Sequence, residues 1–216
     1  MTDEFRRLAD DASEPYLYSD VNIARWAAEA EREACVRANL IYDTTSSFLA
    51  ITVVDGTATY AIDERIVRID RILYTPTNGT ATKLTNVGIE WLEDADDGFQ
   101  RTGKPTHFAR TAQGTIRLWP EPDSGAVGAL ALAVYRLPLS DLEDGADEPE
   151  IGIVHHEGLI DWMLYRAYQG KDGEASDPER SKYHLNEFEA RFGPRPTAKQ
   201  LRKQREQRRV TTRYPM

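Results

Sequence analysis

Apolar positions in the stretch from Val21 to Ile41 fall at Ile23, Ala27, Ala30, Ala34, Ala38 and Ile41, in steps of three and four. That period predicts a helix. Ser19 or Asp20 offers its N-cap, and Trp26 sits beside the stripe as a packing anchor. Residues 1–18 read as an extended leader whose Tyr16, Leu17 and Tyr18 can lie on the body. The period then changes to two. SFLAITVV (47–54), TATYAID (57–63) and ERIVRIDRILYT (64–75) predict strands, with a hairpin signal at Asp55-Gly56 and a tight turn at Asn78-Gly79. Residues 82–96 suggest a strand and one helical turn. PTHFART (105–111), GTIRLWP (114–120) and AVGALALAVYRLP (126–138) predict three further strands.

After an acidic loop at 139–150 the helical period returns. Over 151–170 the apolar positions are Ile153, Leu159, Ile160, Met163, Leu164 and Ala167, flanked by Trp162 and Tyr165. Asp177-Pro178-Glu179 supplies a cap, a proline for the first helical position and an acid for the first turn. The helix it starts carries Leu185, Phe188 and Phe192 on one face and stops at Gly193-Pro194. The expected fold is α+β: an α-helical bundle, an inserted antiparallel β-sandwich or barrel-like domain, and an extended C-terminal tail. Its boundaries are 1–46 for the leader and first helix, 47–139 for the β insertion, 140–194 for the loop and remaining helices, and 195–216 for the tail.

Charge changes the picture only at that tail. The 216 residues carry a net −9, yet 195–216 hold eight Lys or Arg and one Glu, so this segment is +7 and the rest −16. An acidic body disfavours unspecific nucleic-acid binding over most of its surface. Between Thr197 and Arg209 the tail has one strong apolar residue, Leu201, too little to bury a face alone. A frayed or unordered tail is therefore expected in the free chain. The N-terminal residues show no apolar run of a signal peptide, and a single Cys35 forms no internal disulfide. Both fit a reducing cytosol.

Candidate chemistry is sparse. His155-His156-Glu157 with Asp161 one turn later could contribute to a metal site, but Leu159 and Ile160 stand where the zinc-protease pattern needs its second His. A polar helix start is the simpler reading. His107 and His184 are isolated, and Cys35 lies among alanines as a small buried group. Arg101-Thr-Gly-Lys104-Pro105 lacks the upstream glycine and the hydroxyl residue of a phosphate loop. Carboxylates at Asp94, Asp96, Asp97, Glu143, Asp144, Asp147 and Glu148 lie in turns; in an oligomer they could line a negative wall that repels DNA.

The order of these pieces resembles the head-to-tail adaptor (connector or neck) proteins of tailed double-stranded DNA bacteriophages. The resemblance spans about 20–194 and rests on VNIARWAAEAEREACVRANLI, on Tyr60-Ala61-Ile62-Asp63 with RIVRIDRILY, on GKPTHFA, on TIRLWPEPD running into ALAVYRLPL, and on the helix pair HHEGLIDWMLYRAY and DPERSKYHLNEFEARFG. It departs from the pattern after Tyr60, where a Pro-containing turn is replaced by Ala61-Ile62-Asp63. The resemblance implies a structural virion protein rather than an enzyme, without cofactor. It implies a ring, commonly twelve-fold, seated under the portal protein and meeting other tail or neck proteins, with double-stranded DNA passing through its channel unbound. It places the protein in the virion neck, assembled in the bacterial host cytoplasm, with no membrane partner. It also gives the tail a role, in which Lys199, Leu201, Arg202, Lys203, Arg205, Arg208, Arg209, Arg213 and Tyr214 are the expected portal-binding residues. Two other classes stay open: a nucleic-acid-binding protein using the basic arm, and a metal-dependent hydrolase using His155, His156, Glu157 and Asp161.

Overall fold

The structure is a computed structural model that describes residues 1–94, 101–111, 114–143, 147–170 and 176–205. By its internal contacts the chain divides into two compact units: Met1–Ile41 with Arg136–Pro196, and Tyr42–Tyr135 with the segment from Thr197 onward. The fold is α+β.

The first unit is helical. The leader is not extended: Thr2–Leu8 forms α1, which buries Phe5 against Tyr18 and Trp26 at ring distances of 5.7 and 6.0 Å. What orders it is polar. Buried Arg6 donates to Asp11 Oδ2 at 2.6 Å, to Asp20 Oδ1 at 2.7 Å and to the Tyr18 carbonyl at 3.1 Å, while Asp11 also accepts from the backbone of Leu17 and Tyr18. A buried guanidinium needs partners for its charge and its donors, and these two carboxylates and one carbonyl supply them to both terminal nitrogens. Tyr18 is buried as the sequence suggests, whereas Tyr16 and Leu17 stay half exposed.

Helix α2 covers Asp20–Ala38, capped by Ser19, whose side chain accepts from Asn22 N, and ended by left-handed Asn39. Its alanines 24, 27, 28, 30 and 34 are buried, so α4 (His156–Ala167) can lie close against it. Helix α5 (Pro178–Phe192) packs on α4 most extensively. Asp177 caps it by accepting from the backbone N–H groups of Glu179 and Arg180, and such a cap contributes about 1 kcal/mol. Gly158 allows the close α4–α5 approach: a Cβ there would sit 2.8–2.9 Å from the Phe192 ring. One expected core position fails. Ile153 lies in a 3-10 turn ahead of α4 and is 81% exposed, because the α-helical register begins only at His156.

The second unit holds two sheets. Strands β1 (Ile41–Asp43), β2 (Ala50–Val53), β4 (Ile66–Pro76), β5 (Thr82–Lys83) and β9 (Gly128–Arg136) form one, in order β1-β9-β4-β5 with β2 also on β9. Strands β3 (Thr59–Ala61), β6 (Thr85–Asn86), β7 (His107–Arg110) and β8 (Thr115–Trp119) form the other, in order β3-β8-β7-β6. Among the described residues no barrel closes. Both sheets contribute to one apolar cluster that includes Tyr60, Ile72, Tyr74, Phe108, Ile116, Leu118 and Leu132. The Asp55-Gly56 turn is not a hairpin: β2 pairs with β9 and β3 with β8, so the turn carries the chain from one sheet to the other. Nor are all pairs antiparallel. β6 and β7 run parallel because the connection between them, which includes helix α3 (Ile89–Asp94), is a crossover.

Candidate functional site

The basic tail starts with a helix. Thr197 N donates to Gln200 Oε1 at 2.8 Å, and Gln200 N donates back to Thr197 Oγ1 at 3.3 Å. This reciprocal pair satisfies two backbone donors at a helix start and opens α6, Ala198–Arg205. Of the two expected states, frayed helix or unordered tail, the first turns are helical. Thr-x-x-Gln was present in the sequence as a capping box and went unread.

Leu201 is the anchor of α6. It lies half buried in a recess on the β unit lined by Val67, Arg68, Ile69, Asn86, Phe108 and Arg110. The free space left there is about 10 Å³, no more than one water needs. The rim is held from beneath: Arg110 donates to the carbonyls of Val67 at 2.9 Å and Ile66 at 2.7 Å. Arg68 lies over the Tyr135 ring at 5.1 Å, and Tyr135 packs on exposed Tyr42. None of these seat residues was singled out in the sequence, since the seat comes from β4, β6 and β7 and exists only when they are side by side. Of the expected portal-binding residues, Lys199 is exposed and Leu201 is seated. Arg202, Lys203 and Arg205 belong to α6, while Arg208, Arg209, Arg213 and Tyr214 lie outside the described residues. Arg195, counted with the tail, is instead paired with Glu33 at 3.2 Å in the helical unit.

The polar start of α4 does not converge on a point. His156 Nε2 donates to the Ile151 carbonyl at 2.9 Å, and His155 faces the Phe192 ring. Asp161 accepts from His184 Nδ1 at 3.0 Å, and Glu157 from Arg191 at 3.1 Å. These carboxylates clasp α4 to α5. Among the described residues no group of three His, Cys, Asp or Glu side chains could hold a metal ion. Deeper in the same unit, Glu31 is 1% exposed and accepts from the Ile151 backbone at 3.1 Å; burial raises its pKa above the ordinary carboxyl value. Cys35 is fully buried, which pushes its thiol up to about 12. His107 stacks on Trp91 at 4.6 Å beside Trp119, and burial lowers its pKa. Among the described residues no helix is long and apolar enough to cross a membrane.

The sequence profile of the SU10 adaptor protein family matches residues 1–213. The chain belongs to that family. It is a phage head-to-tail adaptor, and its role is structural. The match extends beyond the 20–194 span of the resemblance and takes in the residues of α1 and most of the tail of this SU10 adaptor family member. No curated protein matches the chain.

Proposed function

We propose that this adaptor forms a ring under the portal of a tailed phage, links the portal to the next tail component, and leaves a channel through which the double-stranded genome passes. The observation that carries the reading is the family match over nearly the whole chain. The charge distribution supports it. A body of net −16 repels DNA phosphates and keeps the genome from sticking. The +7 tail offers charge-assisted contacts to an acidic surface. In this reading the residues from Lys199 through Tyr214 meet the portal, with Leu201 setting where the tail departs. A twelve-fold ring in the virion neck, built in the host cytoplasm, completes the proposal.

The test is capture by the portal ring encoded in the same genome, viewed by negative-stain electron microscopy. An added annular layer on the portal is the expected result, lost when residues 206–216 are removed because that truncation takes Arg208, Arg209, Arg213 and Tyr214 but leaves α6. A bare portal refutes ring formation there. Salt-dependent retention of duplex DNA by the full chain alone would instead favour the basic arm as a phosphate binder.

A further inference from the structure

Two exposed turns of the β unit carry dipeptides open to the same internal reaction, Asp55-Gly56 and Asn78-Gly79. In it the main-chain nitrogen of the glycine attacks the side-chain carbonyl carbon of the residue before it. A glycine has no side chain to crowd that nitrogen. The structure separates the two turns. At Asp55-Gly56 the attacking nitrogen is held: Gly56 N donates to the Pro122 carbonyl at 2.8 Å, with φ fixed at +67°. The carboxylate of Asp55 is also a weaker electrophile than an amide. Nothing comparable restrains Asn78-Gly79. Residues 77–80 are exposed, and among the described residues neither the Asn78 carboxamide nor the Gly79 N–H has a hydrogen-bond partner outside the turn. The base of this turn is anchored, since Thr77 donates from its backbone N and from Oγ1 to the Val127 carbonyl at 3.0 and 3.1 Å. Its glycine has a steric reason to be there: a Cβ at position 79 would lie 2.8 Å from Pro76 Cγ.

We infer that Asn78 is a self-modification site, which Gly79 N converts to a mixture of aspartyl and isoaspartyl residues. The bond from Gly79 N to Asn78 Cγ forms and the Cγ–Nδ2 bond breaks. The side-chain nitrogen leaves as ammonia, taking the proton that Gly79 N gives up. The product is a cyclic imide. Water then opens it at either carbonyl. Cleavage of the new N–Cγ bond leaves an ordinary aspartate; cleavage of the old peptide bond leaves the chain running through Cγ. No carbon changes oxidation state, and water is the sole co-reactant. Both products place a negative charge on the turn, and the isoaspartyl form also lengthens it by a methylene between β4 and β5. β5 is a two-residue edge strand whose Thr82 and Lys83 pair with Tyr74 and Leu73, so the longer turn acts on that short ladder first. Copies of different age then differ at this turn in charge and in backbone path.

Full-length protein incubated in warm buffers of rising pH, then digested with trypsin and weighed by mass spectrometry, tests this. The fragment 72–83 contains Asn78 and no other Asn or Gln, so an amide-to-acid mass gain in it reports that residue alone. The gain is expected to grow with time, and faster at higher pH, where base removes the Gly79 N–H proton. The converted fragment should separate into two species, one of which accepts a labelled methyl group from a protein isoaspartyl methyltransferase. A fragment left unchanged in the folded chain, under conditions that convert the synthetic peptide 72–83, overturns the inference. The Asp55→Asn variant tests the part assigned to structure. It gives both turns the same dipeptide, so only their surroundings differ. Position 55 shares its tryptic fragment, 38–65, with Asn39, and fragmentation of that peptide tells them apart. Position 55 is expected to convert about tenfold more slowly than Asn78, because the bond from Gly56 N to Pro122 must break first. Equal rates at the two positions in the folded variant overturn the structural argument.

Discussion

Gly128 stands at the start of β9, opposite Val53 of β2, where the end of β4 passes closest. A Cβ built there would meet the Thr75 carbonyl oxygen at 2.2 Å and Pro76 Cα at 2.7 Å. Close carbon–oxygen contacts in sheets stop at about 3.3 Å, so Gly128→Ala requires β4 and β9 to part by about 1 Å. Both obstacles are backbone and cannot swing aside. Overpacking costs about 1–3 kcal/mol, and this geometry belongs at the upper end. Against it, removing a glycine from a strand returns about 0.5–1 kcal/mol. The net loss is about 2 kcal/mol, which for a chain of this length lowers the melting temperature by about 4–8 °C. Calorimetry measures the shift, and hydrogen exchange of 126–136 locates it in the β unit. Two units need not melt together, so the local readout decides. Gly88→Ala is the control: nothing lies within 4 Å of its added Cβ, and a change within about 0.5 kcal/mol is expected. A Gly128→Ala variant that melts with the wild type and exchanges like it would refute the packing argument.

Two further outcomes follow from the helical unit. The raised pKa of Glu31 means that the folded state holds its proton more tightly than the unfolded chain does. Its contribution therefore falls as pH rises from the model-peptide value of 4.5 through the folded value, and the loss is complete above that. Melting curves of wild type and Glu31→Gln across pH should diverge in favour of the variant as pH rises; a difference that does not vary with pH sinks the assignment. Phe188 is fully buried between Trp162 at 5.0 Å and Phe192 at 4.7 Å, with the Arg37 guanidinium 5.0 Å from its ring. Phe188→Ala should cost about 3–5 kcal/mol in denaturant unfolding followed by far-ultraviolet circular dichroism, and a loss below about 1 kcal/mol would contradict the proposed α4–α5 core.

The adaptor's local elements were readable from the chain alone. Ser19 before an alanine stripe, Asp177-Pro178 before an aromatic one, and the two-residue alternation of 64–75 are signals carried by neighbours in sequence. A cap or a period acts within one or two turns and needs nothing distant. The same logic extends to Thr197 and Gln200, whose capping box was legible and which mark where α6 begins. Family membership was legible too, because the order of such pieces survives as a pattern in one dimension.

Tertiary structure decided which elements meet. Nothing near Asp55-Gly56 says that β2 will pair with Gly128–Ala131 and β3 with Thr115–Arg117. Strand pairing is chosen by the apolar faces that close one core, and its partners lie from 54 residues away (Ala61 and Thr115) to 81 (Ala50 and Ala131) in the chain. Phe5 and Arg6 become buried only because Tyr18, Trp26 and Asp11 gather around them. Ile153 fits a helical stripe by spacing, yet it is exposed because the stripe's first turn lies before the α-helix begins. The seat of Leu201 is the plainest case. Its walls come from residues 67–69, 86, 108 and 110, so no window of sequence contains it. Periodicity states which side chains share a face; only the closure of a core, which removes their apolar surface from water, states what that face will touch.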